Sequence, residues 1–291
     1  MNNKTLIGKN NYLFLMNDSA NGLENHCNHK YSKEINISIY NKIIDKFLLI
    51  VFPDKECICN NFLPNTFKIN NRYCLNKYKL ELKNNIIDTT GLLEYTDYYI
   101  TDTHMNIKGL YKVYKETIIQ FNKLFNKNVS IINTDLKQEQ INNLQSLQLG
   151  LGDLTWDINK GDLKLNNIND VYYTINQNFP FYCKLKITNP LNVENVNINI
   201  LNGLLDNVTD QYLNNIITWQ ILSDNIIESK NNNNGNNIKV LIFYDSFLIQ
   251  IVPLIMKTFK HCFFSKTNIN YNLIDKINPN FVLEFRVERF L

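Results

Sequence analysis

The 291-residue chain reads as an α/β protein. Three observations predict it. Phe47-Leu-Leu-Ile-Val-Phe52 is a continuous apolar run, the composition of a strand buried on both faces. It follows a segment in which Ile35, Ile39, Ile43 and Phe47 recur at steps of four, with Tyr40 and Ile44 widening the stripe, as on the core side of a helix. Near the C-terminus the apolar residues Val240-Leu-Ile-Phe243 stop at Asp245-Ser246, and Phe247, Ile251, Leu254 and Ile255 resume at helical spacing. Helices alternating with buried strands make a helix-covered, largely parallel sheet.

Composition narrows the function classes. With 44% hydrophobic residues over 291 positions there is material for one large catalytic domain. A net charge of +3 comes from nearly balanced Lys+Arg and Asp+Glu without a dense basic block, which argues against a nucleic-acid partner. Asn, Ile, Lys and Tyr are abundant, as an A/T-rich coding sequence produces, so sequons such as Asn36-Ile-Ser38 are not read as glycosylation. No signal-peptide core follows Met1 and no apolar run suits a membrane span, so the expectation is a cytoplasmic protein. The six cysteines show no pairing pattern and no zinc spacing. His26, Cys27 and His29 are of metal-ligand type, but without a second ligand pair they are expected to lie on an exposed polar loop.

In chain order, residues 6–16 read as a turn at Gly8 and Asn10-Asn11 followed by a strand. An amphipathic helix capped by Ser32 leads into the strand at 47–52, which Pro53-Asp54 ends. After an irregular stretch containing Pro64, Ile86-Ile-Asp-Thr89 reads as a strand end and 92–95 as one helical turn. Residues 109–125 carry Leu110, Val113, Tyr114, Thr117, Ile118 and Phe121 on one helix face, and 129–132 read as a short strand. A polar segment runs to about residue 149. Between about 170 and 200 the pattern alternates apolar and polar residues, a small antiparallel insertion beside the main sheet. Asn231 to Asn234 with Gly235 form a loop. Strands at 261–264 and 281–285 flank a short helix at 271–277.

Two places carry chemistry. Ser246 stands where a strand turns into a helix, at the end where α/β sheets hold ligands and where free N–H groups favour negative charge. Those conditions suit a nucleophilic hydroxyl; Asp245 or Ser246 acting only as a helix cap satisfies the same pattern. Asp102-Thr-His104 lies on an irregular turn before a helix, so the carboxylate can hold one imidazole nitrogen and leave the other free. An ordinary surface turn is the competing reading. Gly150-Leu-Gly-Asp-Leu-Thr-Trp-Asp157 offers glycines for close backbone approach and Trp156 for stacking on a sugar, or else a turn anchored by a buried Trp.

Together these fragments carry a resemblance. Gly8-Lys-Asn-Asn-Tyr-Leu-Phe14, Val51-Phe-Pro-Asp-Lys-Glu56 with Leu63-Pro64, Ile86-Ile-Asp88, Tyr99-Ile-Thr-Asp-Thr-His104 with Asn106 and Gly109, Gly152-Asp-Leu154, the run from Val240 through Asp245-Ser246-Phe247, and Asn278-Pro-Asn-Phe-Val-Leu-Glu with Val287-Glu-Arg-Phe-Leu291 fall in the order and spacing of one family. The chain resembles the SGNH-hydrolase-like acetyltransferases of the alginate O-acetyltransferase group.

The resemblance implies a three-layer α/β/α, flavodoxin-like fold over residues 1–291, with a largely parallel sheet and a β-rich insertion at about 166–228. It implies Ser246 as nucleophile, His104 as general base and Asp102 as the residue that orients it. Gly152 is a candidate second oxyanion donor and Trp156 a candidate substrate contact. Met105 replaces the family's Trp after the histidine, at the wall of the acyl or sugar pocket, and Tyr244 replaces a frequent Gly, narrowing the approach to Ser246. The implied partners are a carbohydrate or glycan and an acyl donor, such as acetyl-CoA or an acyl carrier protein, with no bound cofactor and no metal. An esterase with the same triad, and a glycan-binding module that lost the chemistry, are the alternatives.

Overall fold

A computed structural model describes residues 4–28, 35–139, 152–155, 172–175, 183–188, 195–200, 226–231 and 236–291, with the backbone alone at 137–139 and in the strands between 172 and 200. The strands are β1 (Thr5–Ile7), β2 (Leu13–Leu15), β3 (Phe47–Phe52), β4 (Ile86–Asp88), β5 (Leu136–Glu139), β6 (Tyr172–Ile175), β7 (Cys183–Thr188), β8 (Asn195–Ile200), β9 (Ile226–Lys230), β10 (Lys239–Tyr244), β11 (His261–Ser265) and β12 (Phe281–Val287). The α-helices are α1 (Gly22–Cys27), α2 (Lys55–Ile58), α3 (Tyr73–Leu82), α4 (Ile107–Phe125), α5 (Val252–Thr258) and α6 (Tyr271–Ile277).

The main sheet has the order β4-β3-β12-β10-β11-β9-β7-β8. Its first five strands run parallel, and β9, β7 and β8 extend it by antiparallel pairing. The β-rich stretch therefore continues the main sheet instead of lying beside it, apart from β6, which pairs with β5 as a separate ribbon. Every residue of β3 is fully buried, because alternate side chains meet helices on opposite faces. Leu48, Ile50 and Phe52 join Val240, Ile242, Leu283 and Phe285 against α4 and α5. Phe47, Leu49 and Val51 join Leu241, Phe243 and Val282 against α3, α6 and a 3-10 segment (Ile37–Lys46).

Several expectations change. The stripe at 35–47 forms a 3-10 helix rather than an α-helix, although Tyr40 and Ile43 face the core as expected; the four isoleucines within it are β-branched and weak α-helix formers. Ser32 lies outside the described residues, as do 232–235. Residues 129–132 form no strand. Their backbone pairs with α4 side chains instead: Asn122 exchanges two 2.8 Å bonds with Val129, and Ile132 N–H donates to Tyr114 Oη at 2.8 Å. The turn expected at 92–95 falls as two 3-10 turns, Thr90–Leu92 and Tyr95–Asp97. β1 completes a hairpin with β2, and α1, α2 and α3 occupy stretches read as polar or irregular. Among the described residues no helix is long and apolar enough to cross a membrane.

Phe52 closes β3 with its ring 5.7 Å from Phe247 and 5.9 Å from Phe285, so it links the sheet to the turn after β10. Phe52→Ala is expected to lower stability by about 3–5 kcal/mol, the range for truncating a buried aromatic, as read by urea unfolding; a loss below about 1 kcal/mol would contradict this packing.

Candidate active site

The carboxyl ends of β3, β12 and β10 lie side by side, with Phe52 paired to Val287 and Tyr244 to Phe285. The residues just beyond them share one edge of the sheet: Asp54 and Lys55, Glu288 and Arg289, Asp245 and Ser246. This is where open α/β sheets hold ligands. Asp245 caps the 3-10 turn Ser246–Ile251 through Phe247 N–H at 3.0 Å, and its second oxygen accepts Val287 N–H at 2.6 Å. One carboxylate thus fixes the serine turn and ties it to the neighbouring strand.

The opposing wall is the loop before α4. Asn106 caps that helix by accepting Gly109 N–H at 3.1 Å, and Gly109 packs so tightly that a Cβ would sit 2.7 Å from the Asp97 carbonyl. A bridge between Tyr98 and Met105 pinches the chain, and the loop between them presents Asp102, Thr103 and His104. Lys55 holds this loop from below. Its buried ammonium donates to the carbonyls of Leu13 (2.6 Å), Ile100 (2.8 Å) and Asp102 (3.0 Å), beside the rings of Tyr12 and Phe14.

Across the gap, His104 Nε2 lies 2.9 Å from Ser246 Oγ, and His104 Nδ1 lies 2.6 Å from Asp102 Oδ1. The same Asp102 oxygen accepts His104 N–H at 2.9 Å, and Oδ2 accepts Asp153 N–H at 3.2 Å. The imidazole is a quarter exposed and its ring centroid is 4.6 Å from that of Phe247. Burial by itself would push the His104 imidazole down; the Asp102 hydrogen bond and charge, with Asp153 added, raise it on balance. Burial likewise opposes ionisation of Asp102, yet His104 holds its carboxyl well below the usual range. A base with a free nitrogen, a hydroxyl on it and a carboxylate behind it make a group able to abstract the serine proton.

The other expected residues fare differently. Gly152 lies beside Asp102, where a Cβ would come within 2.6 Å of Asp102 Cβ and of the Thr101 backbone; its N–H donates to Thr101 Oγ1 at 3.0 Å, which commits the donor an oxyanion role would need. Met105 is fully buried in the core, not on a pocket wall, because the bridge to Tyr98 turns it inward. Tyr244 is also buried, edge-on to Phe264, and does not stand over the serine. Trp156 lies outside the described residues. Two residues were passed over: Thr103, inside the Asp-x-His motif, and Asp153, inside the Gly152-Asp-Leu fragment. Asp153 accepts Thr103 N–H at 2.9 Å and Thr103 Oγ1–H at 2.7 Å.

His26 is not on an exposed loop. It is buried, with Nε2 3.0 Å from Asp54 and Nδ1 3.1 Å from the Asn71 carbonyl. Asp54 also pairs with Arg289, and Arg72 with Glu288. Ligand-type atoms of His26, Asp54 and Glu56, and of His26, Cys57 and Glu288, gather within 4.8 Å, but the two guanidiniums already neutralise carboxylates there, so the cluster is built as an ion network. Asp102, His104 and Asp153 form a third such group, with the imidazole nitrogen already facing carboxylate. Burial opposes charge on His26, but the Asp54 bond raises it on balance; Glu56 is pushed up to about 8 by burial and the Asp54 charge.

No family model matches this chain and no curated protein matches it in sequence. Solved structures do match in fold. Bacillus cereus PatB1 superposes with a TM-score of 0.65 at 16% identity, covering 98% of this chain and 95% of that one. A DHHW family protein from Eubacterium siraeum gives 0.56 at 16% identity, over 98% and 93%. The O-acetyltransferase domain of Pseudomonas putida AlgJ gives 0.52 at 10% identity, over 98% and 91%. At these identities the likeness shows the fold alone, an α/β fold shared with these structures.

Asp245→Ala would strand two buried N–H donors and is expected to cost about 2 kcal/mol or more, at about 1–3 kcal/mol per unsatisfied group, as read by thermal or urea unfolding. The raised Glu56 carboxyl means that the folded protein keeps a proton the unfolded chain releases near its ordinary pKa of about 4.3. Stability is therefore expected to fall as pH rises through that window towards 8, and Glu56→Gln to flatten the fall. An unchanged slope in thermal unfolding across that range would count against the assignment.

Proposed function

We propose that this protein is a serine-dependent, SGNH-type O-acetyltransferase, a single catalytic domain over residues 1–291, that moves an acetyl group to a carbohydrate hydroxyl through an acyl-serine intermediate. The observation that supports it most is the unbroken hydrogen-bond chain from Ser246 through His104 to Asp102, at 2.9 and 2.6 Å, at the carboxyl edge of the sheet. Fold neighbours that include an O-acetyltransferase domain, and a PatB1 structure carrying a sulfonyl adduct, point the same way.

In this reading His104 Nε2 takes the Ser246 proton as Oγ attacks the acetyl carbonyl carbon of the donor. The tetrahedral intermediate collapses, the donor departs with the proton from Nε2, and the acetyl group is left on Ser246. A sugar hydroxyl then attacks that ester while Nε2 removes its proton, and Ser246 Oγ leaves and regains a proton from His104. The negative oxygen of each intermediate lies against Ser246 N–H, which as the first residue of its helical turn has no intrahelical acceptor. Asp102 stays ionised and stabilises the imidazolium. An activated acetyl ester or thioester, acetyl-CoA or an acyl carrier protein, supplies the group, and Trp156 is assigned to the sugar acceptor.

Turnover of p-nitrophenyl acetate, with and without oligosaccharide, tests the reading. Acetylated sugar in the mass spectrum is expected, with Ser246→Ala and His104→Ala each lowering acyl release by about 1,000-fold or more. A sulfonyl fluoride should add one adduct to the protein and none to Ser246→Ala. Hydrolysis indifferent to sugar, with no acetylated product, would make the protein an esterase. No loss in either variant would leave a glycan-binding module.

A further inference from the structure

The triad accounts for only one of the groups on His104 Nδ1. Thr103 Oγ1 lies 3.2 Å from the same nitrogen and 2.7 Å from Asp153 Oδ2, and Asp153 Oδ2 itself is 3.7 Å from Nδ1. A hydroxyl has one proton. Given to the Asp153 carboxylate over the shorter contact, it leaves only oxygen lone pairs facing the imidazole, so Thr103 presents itself to Nδ1 as an acceptor. Ionised Asp102 can also only accept. Two acceptors on Nδ1 admit one neutral tautomer, with the proton on Nδ1 and the lone pair on Nε2, where Ser246 Oγ–H donates.

Asp153 is held for this task by three hydrogen bonds of its own. Its carboxylate accepts Thr103 N–H at 2.9 Å as well as the hydroxyl, and its own N–H donates to Asp102 Oδ2 at 3.2 Å. The turn that carries it, Asp153–Thr155, is fastened at Leu154, whose N–H donates to Thr101 O at 3.2 Å and whose carbonyl accepts Thr5 Oγ1–H at 2.9 Å. The lack of a side chain at Gly152 lets that turn lie against Thr101 and Asp102. Asp102, Thr103 and Asp153 thus form a closed ring behind the imidazole.

We propose that Thr103 and Asp153 form a second arm on His104, a positioning pair that fixes the Nδ1–H tautomer and keeps Nε2 turned to the Ser246 hydroxyl. The inference deepens the acyl-transfer reading and rests on it. Neither residue touches the reacting atoms; both act through the imidazole. Other charges facing the ring are Asp102, which stabilises its protonated form, and Arg289, 5.4 Å from the Phe247 ring, which opposes it. Asp153 adds to the Asp102 effect, and its side chain is nearly half exposed, so its share is open to screening by salt.

The sign of the pH effect follows. Protonated His104 cannot take the serine proton, so activity falls as pH drops through the imidazole titration. Removing the Asp153 charge should move that fall to lower pH. The test is ring NMR titration of His104 in the wild type, Asp153→Asn, Thr103→Val and Thr103→Ser, with the signal assigned against His104→Gln among the four histidines, alongside pH profiles of kcat/KM with p-nitrophenyl acetate.

Asp153→Asn is expected to lower the His104 midpoint and the acid limb of kcat/KM together by about half a unit to one unit, and raised salt to shrink the difference. Thr103→Val should lower kcat severalfold with KM little changed, Thr103→Ser should restore it, and the Asp153→Asn/Thr103→Val double variant should lose less than the two single losses combined. A folded Asp153→Asn protein with an unmoved His104 titration would overturn the proposal; should that variant not fold, a Thr103→Val protein with wild-type kcat would do so. The titration reads the arm whether or not acyl transfer is found, so a shifted His104 in a protein without transferase or esterase activity would sink the reaction alone and support the arm.

Discussion

Lys55 is a buried ammonium with three carbonyl oxygens around it, and the site depends on where that places the Asp102 loop. A lysine in the interior is tolerated when its donors are satisfied. Here they are satisfied by the β1–β2 hairpin through Leu13 and by the loop through Ile100 and Asp102, while the lysine itself begins α2 just past the end of β3. The sheet thereby dictates the height of the Asp102 loop. The other side of the gap is dictated in the same manner, since Asp245 bonds both the serine turn and Val287 at the end of β12. His104 and Ser246, 142 positions apart, meet because both are referred to the ends of adjacent strands.

At this same edge lies the ion network of His26, Asp54, Arg289, Arg72 and Glu288. Charges this deep cost several kcal/mol to desolvate and are kept only when paired and hydrogen-bonded. Their position gives them a role in shape: Arg289 joins Asp54 after β3 to the face of Phe247 after Ser246, and Phe247 is the ring on which His104 rests. The network makes the strand ends mutually dependent, and its charge reaches the imidazole.

A fold shared with PatB1 and the AlgJ domain does not by itself carry an activity across, since one α/β scaffold hosts many chemistries. The proposed activity rests on the residues instead, on a geometry in which several features coincide: a hydroxyl at a helix start, an imidazole with one nitrogen turned to it, and Asp102 and Thr103 on the other nitrogen. Met105 and Tyr244 are buried, and among the described residues His104, resting on Phe247, is the side chain hydrogen-bonded to Ser246.

From the sequence alone came the α/β class, the strands at 47–52 and 240–243, the helix of 109–125 and the candidates Ser246, His104 and Asp102. Each leaves a local mark: an apolar run, a helical period, or polar residues where an apolar pattern breaks. Tertiary structure decided everything that depends on which segment lies opposite which. Nothing local marks Lys55 for burial, and His26 reads as part of an exposed polar loop, until β2, the 98–105 loop and Asp54 are brought around them. Asp153 joins His104 across some fifty positions, and no local period records that contact. Gly152 carries an N–H that any sequence would leave available, and it is spent because Thr101 folds against it. Short-range preference writes the elements; hydrogen-bond satisfaction in a closed interior chooses the partners.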